Sequence, residues 1–414
     1  MQDKISRIYF IGAKLYYSSN KNQVLHVSLI TKYKNVKPLT IKYLVMKNKP
    51  LNRRKFIQNL SYGLGTLALA PVLTSFDSLG CAAAPKKLGI ALVGLGGYSS
   101  GQLAPALQQT KNCYLAGIVT GTPAKAEAWS AKYKISKANI YNYENFDTII
   151  NNPAIDIVYV VLPISMHKEF TIRAAKAGKH VICEKPMALN AAECSEMIAA
   201  CKKAGRQLSI GYRLHFEPHH MEVMRLGKAK VYGKIKSVDA GNGFTWGGNK
   251  DSWRLKKALA GGGGLMDMGI YAIQGSRYSI GEEPLFVTAR EEKTNHDLFS
   301  EVDETVFWEL EFPNQLKATG KSSYNANWSY LNVSAESGKY QLSPAFGYGG
   351  IAGSTPKGIM GFPQINQQAA QMDDFAACVS TGKATRVPGE EGLRDMKVID
   401  AIYRSIASGK REQI

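Results

Sequence analysis

Between Lys86 and Gly211 short apolar runs alternate with amphipathic stretches. The runs at 88–93, 115–119, 155–162, 180–183 and 207–211 have little polar face, the pattern of strands buried on both sides of a parallel sheet. The stretches at 124–134, 168–177 and 191–204 have helical period, and another helix begins near Ser100. The helix at 191–204 has complete boundary signals: Asn190 as N-cap, Glu193 three residues on, and Gly205 beyond the end. Alternating strands and helices imply parallel pairing through right-handed crossovers, so 86–211 reads as a doubly wound α/β domain.

After Gly211 the pattern changes. Val306, Trp308, Leu310 and Phe312 alternate with Phe307, Glu309 and Glu311, as in a half-buried strand. The segment 315–323 and the two segments flanking Glu336-Ser337-Gly338 read as hairpin partners. Helical stretches at 368–379 and 393–407 close the chain, and there is no internal repeat. A length of 414 residues accommodates two such domains, 86–211 and 212–414.

Residues 1–85 follow neither pattern. They carry +11 of the net charge of +19, leaving +8 for 86–414, where no Lys/Arg run with interleaved aromatics occurs. Nucleic acid is therefore not an expected partner. Asn52-Arg53-Arg54-Lys55-Phe56-Ile57-Gln58 resembles a twin-arginine export signal. A charge-free run at 60–73 and the small residues Cys81-Ala82-Ala83-Ala84 complete the layout of a signal peptide over 46–85. The run is too short for a membrane span, so the mature protein is expected to have none and to be periplasmic. Ser78 stands where a lipoprotein signal has leucine, which argues against lipidation at Cys81. Signals sit at the true N-terminus, so 1–45 reads as an upstream extension outside the fold, with Met46 the natural start.

Six cysteines show no C-x-x-C and no His partner at zinc spacing, so no metal site is expected. Cys194, Met197, Ile198 and Cys201 fall at i, i+3, i+4, i+7, the buried stripe of a helix. His215, His219 and His220 cluster with no acid-rich ligand set beside them and read as helix-entry or surface residues.

Two motifs carry chemistry. Gly94-Leu95-Gly96-Gly97-Tyr98-Ser99 follows the first strand and opens a helix, a near match to G-x-G-x-x-G/A. Gly94 permits the tight turn and Gly96 lets a pyrophosphate approach backbone N–H groups. The second strand ends in Val119-Thr120-Gly121-Thr122-Pro123-Ala124-Lys125, with no acid for a ribose 2′-hydroxyl and with hydroxyls and a lysine suited to a 2′-phosphate. NADP is therefore preferred over NAD. The other motif is Cys183-Glu184-Lys185-Pro186, where proline stops an apolar strand and a lysine stands at its carboxyl end, the place where open α/β sheets bind ligands.

Together with 155–167 (IDIVYVVLPISMH), 177–186 (AGKHVICEKP), 211–216 (GYRLHF) and 253–284 (WRLKKALAGGGGLMDMGIY…YSIGEEP), these motifs make the chain resemble the Gfo/Idh/MocA oxidoreductase family, and within it the glucose–fructose oxidoreductase branch. The resemblance runs from about Lys86 to the C-terminus. It implies a Rossmann domain followed by an α+β domain with a large, mostly antiparallel open sheet that also makes homodimer or homotetramer contacts. It assigns Lys185 to hydrogen-bond the reacting hydroxyl, Tyr271 as general acid/base where many relatives have His, and Asp267 as its electrostatic partner. By motif position the cofactor is expected against Gly94, Gly96, Gly97, Tyr98, Thr120, Gly121, Lys125, Leu162, Pro163, His167, Glu184, Lys185 and Arg213. The sugar is expected against Tyr212, Arg213, Trp253, Arg254 and Tyr348. Ile164 departs from the family's usual Asn.

The implied activity is oxidation of an aldose to its lactone, with hydride passed to a second sugar or carbonyl compound on a retained NADP. Export motivates the closed cycle, because the periplasm offers no free NADP pool. The proline-rich arm by which that branch retains NADP has no counterpart in the dozen residues before Lys86, so a dehydrogenase with exchangeable cofactor is the alternative. An NAD-dependent glycosidase, tested with chromogenic glycosides, and a non-catalytic sensor, which would tolerate Lys185→Ala, are the others. For the N-terminus, the intact mass of the precursor should correspond to a chain starting at Met46; a mass including residues 1–45 overturns that reading.

Overall fold

The computed structural model describes residues 86–414 and, before them, the backbone of three strands: β1 (Phe10–Tyr17), β2 (Val24–Thr31) and β3 (Leu39–Leu44). These form an antiparallel sheet in the order β1-β2-β3. Residues 1–45 were expected to lie outside the two-domain fold; within them the structure describes this small sheet. The start at Met46, the export signal and Cys81 lie outside the described residues.

Six parallel strands build the first sheet of the main unit: β4 (Leu88–Val93), β5 (Cys113–Val119), β6 (Ile140–Tyr141), β7 (Ile157–Val160), β8 (His180–Cys183) and β9 (Leu208–Ile210). Their order, β6-β5-β4-β7-β8-β9, is the doubly wound dinucleotide-binding order, with β4 at the switch point. The apolar runs become strands because helices cover both faces: Ile90–Val93 and Ile157–Val160 are fully buried. β6 has two residues, too few to show a period, and was not legible in the sequence. The helices fall within a residue or so of expectation, at Pro123–Tyr133, His167–Lys176 and Ala191–Lys203. Asn190 Oδ1 accepts the Glu193 N–H at 3.0 Å, and the buried stripe of that last helix is Cys194, Met197, Ile198 and Cys201.

A second sheet follows, made of β10 (Ile235–Thr245), β11 (Phe286–Glu292), β12 (Thr305–Glu311), β13 (Lys317–Ser323), β14 (Asn325–Ala335), β15 (Gly338–Leu342), β16 (Gly353–Thr355), β17 (Gly358–Ile359) and β18 (Glu412–Gln413). Its order is β17-β16-β15-β14-β10-β13-β12-β11-β18, and only β10 and β13 run parallel. Val306, Trp308 and Leu310 face the core, as their alternation required.

The chain after residue 212 does not pack on the second sheet alone. Helix Gln367–Thr381 returns to the first sheet and places Ala369, Met372, Phe375 and Ala376 in one core with Ile90, Leu92, Ile157, Tyr159 and Ile182. The Asp373 carboxylate fastens it by accepting the Lys111 and Asn112 N–H groups at 2.9 and 2.7 Å. Helix Gly389–Ser408 packs on both Ala191–Lys203 and β11, bridging the two sheets. Because Phe375 is 1% exposed in the nucleotide-side core, Phe375→Ala should lower the unfolding free energy by about 3 kcal/mol or more, read in urea. Loss of the nucleotide-side signal alone, with the second domain unfolding separately, would contradict the shared core.

Candidate active site

The phosphate cradle is built at the end of β4. Gly94 has φ +94°, and a Cβ there would lie 2.4 Å from the Val161 carbonyl, so only glycine fits. Ser99 closes the turn by donating to the Gly94 carbonyl at 2.6 Å. Gly96 and Gly97 have open space where a side chain would stand, which leaves their backbone free to meet a ligand. Thr120, Gly121, Thr122 and Lys125 line the same cleft at the end of β5, and no carboxylate does so there.

This cleft, about 560 Å³, collects most of the residues expected from the sequence. Gly94, Gly96, Gly97, Tyr98, Thr120, Gly121, Lys125, Leu162, Pro163, His167, Glu184 and Lys185 line it, and so do Asp267, Tyr271, Trp253, Arg254 and Tyr348. An adjoining chamber of about 350 Å³ shares Lys185, Arg254, Asp267, Tyr271 and Tyr348 and adds Arg213, Phe244 and Trp246. The residues therefore fit a dinucleotide along the first cleft, with a small second ligand beside it.

Lys185 emerges just past β8 and crosses to the second domain. Its Nζ donates to the Asp267 Oδ1 at 3.0 Å and carbonyl at 2.8 Å, and lies 4.7 Å from the centre of the Tyr271 ring. Asp267 stands in a wide π-helical turn, Leu265–Gly269, that leads into helix Ile270–Ile280 and so to Tyr271. The preceding glycines are explained by Asp303, whose carboxylate accepts the Gly263 and Leu265 N–H groups, each at 2.7 Å. A Cβ on Gly263 would sit 2.0 Å from the Asp303 carbonyl. Burial pushes the Asp267 carboxyl up, but Lys185 and Arg254 outweigh it and hold it at about 2. Burial likewise opposes the Lys185 ammonium, and Tyr271 and Asp267 restore it to above its ordinary value.

Glu184 does not pair with the Lys185 ammonium. Its Oε1 accepts the Tyr159 hydroxyl at 2.5 Å, Tyr159 accepts from Gln371 Nε2 at 2.9 Å, and burial holds the carboxyl above its ordinary range. The His167 ring lies between the Leu162 and Pro186 carbonyls, 2.9 Å from each, joining the loops after β7 and β8. Ile164 is buried against the same cleft.

Three expectations meet a different environment. Arg213 is buried and donates to the Phe346 carbonyl at 2.6 Å, the Gly347 carbonyl at 2.8 Å and Gln367 Oε1, so it anchors the loop that carries Tyr348, and only the smaller chamber reaches it. Tyr212, 2% exposed, stacks on His215 and lines neither chamber. His219 and His220 do open helix Pro218–Lys228, but they are buried, not at the surface: His219 meets Glu217 at 2.7 Å and His220 the Ala345 carbonyl at 2.7 Å. Burial lowers His215 and His220 to about 3. Tyr143, Phe244, Trp246 and Tyr324 were missed, because single aromatics in loops and at strand ends carry no local signal.

Two family models cover this architecture. One, described as an oxidoreductase family with NAD-binding Rossmann fold, matches 88–212; the other, the GFO/IDH/MocA C-terminal domain, matches 220–341. The chain belongs to the Gfo/Idh/MocA oxidoreductase family. It is similar to a D-xylose 1-dehydrogenase [NADP(+)] of Haloarcula marismortui, 28% identical over 76% of this chain and 90% of that protein. The crystal structure of an aldose-aldose oxidoreductase from Caulobacter crescentus complexed with glycerol is 42% identical, with a TM-score of 0.77, over 80% of this chain and all of that one. A levoglucosan dehydrogenase structure, 20% identical with a TM-score of 0.68 over 80% of this chain and all of that one, shares the fold.

In this family member the Lys185–Asp267 pair has a defined pH window. Because the Asp267 carboxyl is depressed in the folded state, the pair's stability is complete above the ordinary carboxylate value near ~4 and is lost as pH falls through about 2. Wild type and Asp267→Asn should therefore differ by about 2 kcal/mol more at pH 6 than at pH 2 in urea unfolding. A difference independent of pH would show that the carboxylate charge contributes nothing.

Proposed function

We propose that this protein is an exported sugar oxidoreductase that oxidises an aldose to its lactone with NADP and passes the hydride to a second sugar or carbonyl compound on the same, retained cofactor. The observation that carries the reading is the Lys185–Asp267–Tyr271 group, which borders both the cofactor cleft and the smaller chamber. NADP, when bound, would supply the hydride acceptor. Gly94, Gly96 and Gly97 would hold its pyrophosphate, and Thr120, Thr122 and Lys125 a 2′-phosphate.

The rest follows from the chain's own groups. Lys185 Nζ donates to the reacting hydroxyl and stabilises negative charge growing on that oxygen, with Asp267 keeping the ammonium charged and aimed. Tyr271 is the group placed to exchange the hydroxyl proton, with the Lys185 and Arg213 cations 4.7 and 5.1 Å from its ring centre. Trp253, Tyr348 and Arg254 offer flat apolar surface and charged donors for a sugar. The names of the xylose dehydrogenase and the aldose-aldose oxidoreductase support an aldose, and the former NADP; Arg53-Arg54 supports export.

We read the open face of the second sheet as the surface of a homodimer or homotetramer. Phe307, Arg290 and Lys321 form a shallow groove there, with the Arg290 guanidinium 4.2 Å from the Phe307 ring centre.

The test uses protein purified from the periplasm. Bound NADP(H) should survive desalting, be reduced by an aldose and be reoxidised by a second sugar, with Lys185→Ala lowering the rate by roughly three orders of magnitude. Sedimentation of the same sample should give a dimer or tetramer. The similarity to an NADP(+) xylose dehydrogenase favours a second reading, an ordinary dehydrogenase whose cofactor exchanges. Loss of NADP on desalting, with activity restored on its re-addition, would decide for that reading; a cytoplasmic protein would reject export.

A further inference from the structure

We propose that Tyr324 is a positioning residue for Asp267: its hydroxyl holds one carboxylate oxygen, so that the other stays turned to the Lys185 ammonium. The inference rests on the reading of Lys185 and Asp267 as the reacting-site pair.

Asp267 has two oxygens with separate partners. Oδ1 accepts from Lys185 Nζ at 3.0 Å, while Oδ2 accepts from Tyr324 Oη at 3.1 Å and from Arg254 Nε at 3.3 Å. The two donors to Oδ2 differ in kind. Arg254 is 40% exposed, belongs to the short turn Trp253–Leu255 and lines both chambers, so an incoming ligand competes for it. Tyr324 is 1% exposed and lines neither chamber. It keeps its donor on the carboxylate whichever way the arginine turns.

The phenol is fixed from several sides. Its ring packs against Phe244, Trp246 and Phe299 at centroid distances of 5.3, 5.2 and 6.2 Å. Between β13 and β14 its backbone N–H donates to the Glu304 carbonyl at 2.9 Å, and its carbonyl accepts the Trp246 N–H at 2.7 Å. Burial keeps the phenol protonated, hence a donor. A carboxylate torsion is broad and two-fold, so Oδ2 without a fixed donor can swing, and each swing takes Oδ1 from the ammonium. A rigid supporting hydrogen bond removes that freedom before substrate arrives.

Tyr324→Phe tests this, because the ring and its aromatic packing stay. With the aldose that the wild type oxidises, kcat should fall roughly ten-fold and KM change less than about two-fold. The acid limb of the pH profile should move upward, since a carboxylate that loses a donor protonates more easily. In an Asp267→Asn background the same change should cost nothing further. An equal loss in both backgrounds, with an unmoved pH profile, would overturn the proposal and leave Tyr324 a packing residue. A substrate-free comparison separates this from the functional reading. Pyridoxal phosphate with borohydride should label Lys185 at least about two-fold faster in Tyr324→Phe than in wild type, and equally in the two proteins carrying Asp267→Asn. Absence of aldose turnover by the wild type sinks the functional reading alone, and equal labelling of wild type and Tyr324→Phe overturns the role of Tyr324.

Discussion

The site depends on one ion pair between the two halves of the molecule. Lys185 stands at the carboxyl end of the parallel sheet, and Asp267 on a turn fastened to the second sheet. Taking both charges out of water is costly, and their attraction offsets that cost only when the remaining donors and acceptors are satisfied. Here they are. The lysine also reaches a backbone carbonyl, and the carboxylate accepts from an arginine and a buried phenol. Such a pair ties the lysine at the end of the first sheet to the turn on the second, because breaking it strands a buried charge.

The surrounding structure serves that tie. On the nucleotide side, Glu184, Tyr159 and Gln371 form a buried chain from the strand end to helix Gln367–Thr381. On the other side, Asp303 draws the glycine run onto the second sheet, and Tyr403 donates to the same carboxylate at 2.6 Å. Arg213 joins the start of the second domain to the loop bearing Tyr348 and to Gln367. Helix Gly389–Ser408 is thus a brace between the two sheets, while helix Gln367–Thr381 packs on the first.

Much of the site was legible because its elements are local. The Gly94/Gly96 turn, the Asn190 cap and the proline stop after Lys185 are each set by a few neighbouring residues, and all lie where short-range rules put them. Tyr212 and Arg213 show the limit. They stand side by side in a motif that suggested ligand contact, and the fold turns Tyr212 into the core and engages most of Arg213 with backbone carbonyls. Adjacent residues on a short 3₁₀ turn point in different directions, which a linear motif does not record.

The sequence by itself determined the elements, the cradle for a dinucleotide and the candidates for proton and hydride chemistry, since glycine conformation, hydrophobic period and capping act over a few residues. Only the tertiary structure decided that Asp267 has three side-chain donors, that Tyr324 from the far sheet is one of them, and that Glu184 meets the Tyr159 hydroxyl and not the ammonium of its neighbour Lys185. Those pairings join residues 25 to 82 positions apart, or 13 in the case of Arg254. At such separations, partners are chosen by how the sheets pack and by which buried polar atoms would otherwise go unsatisfied.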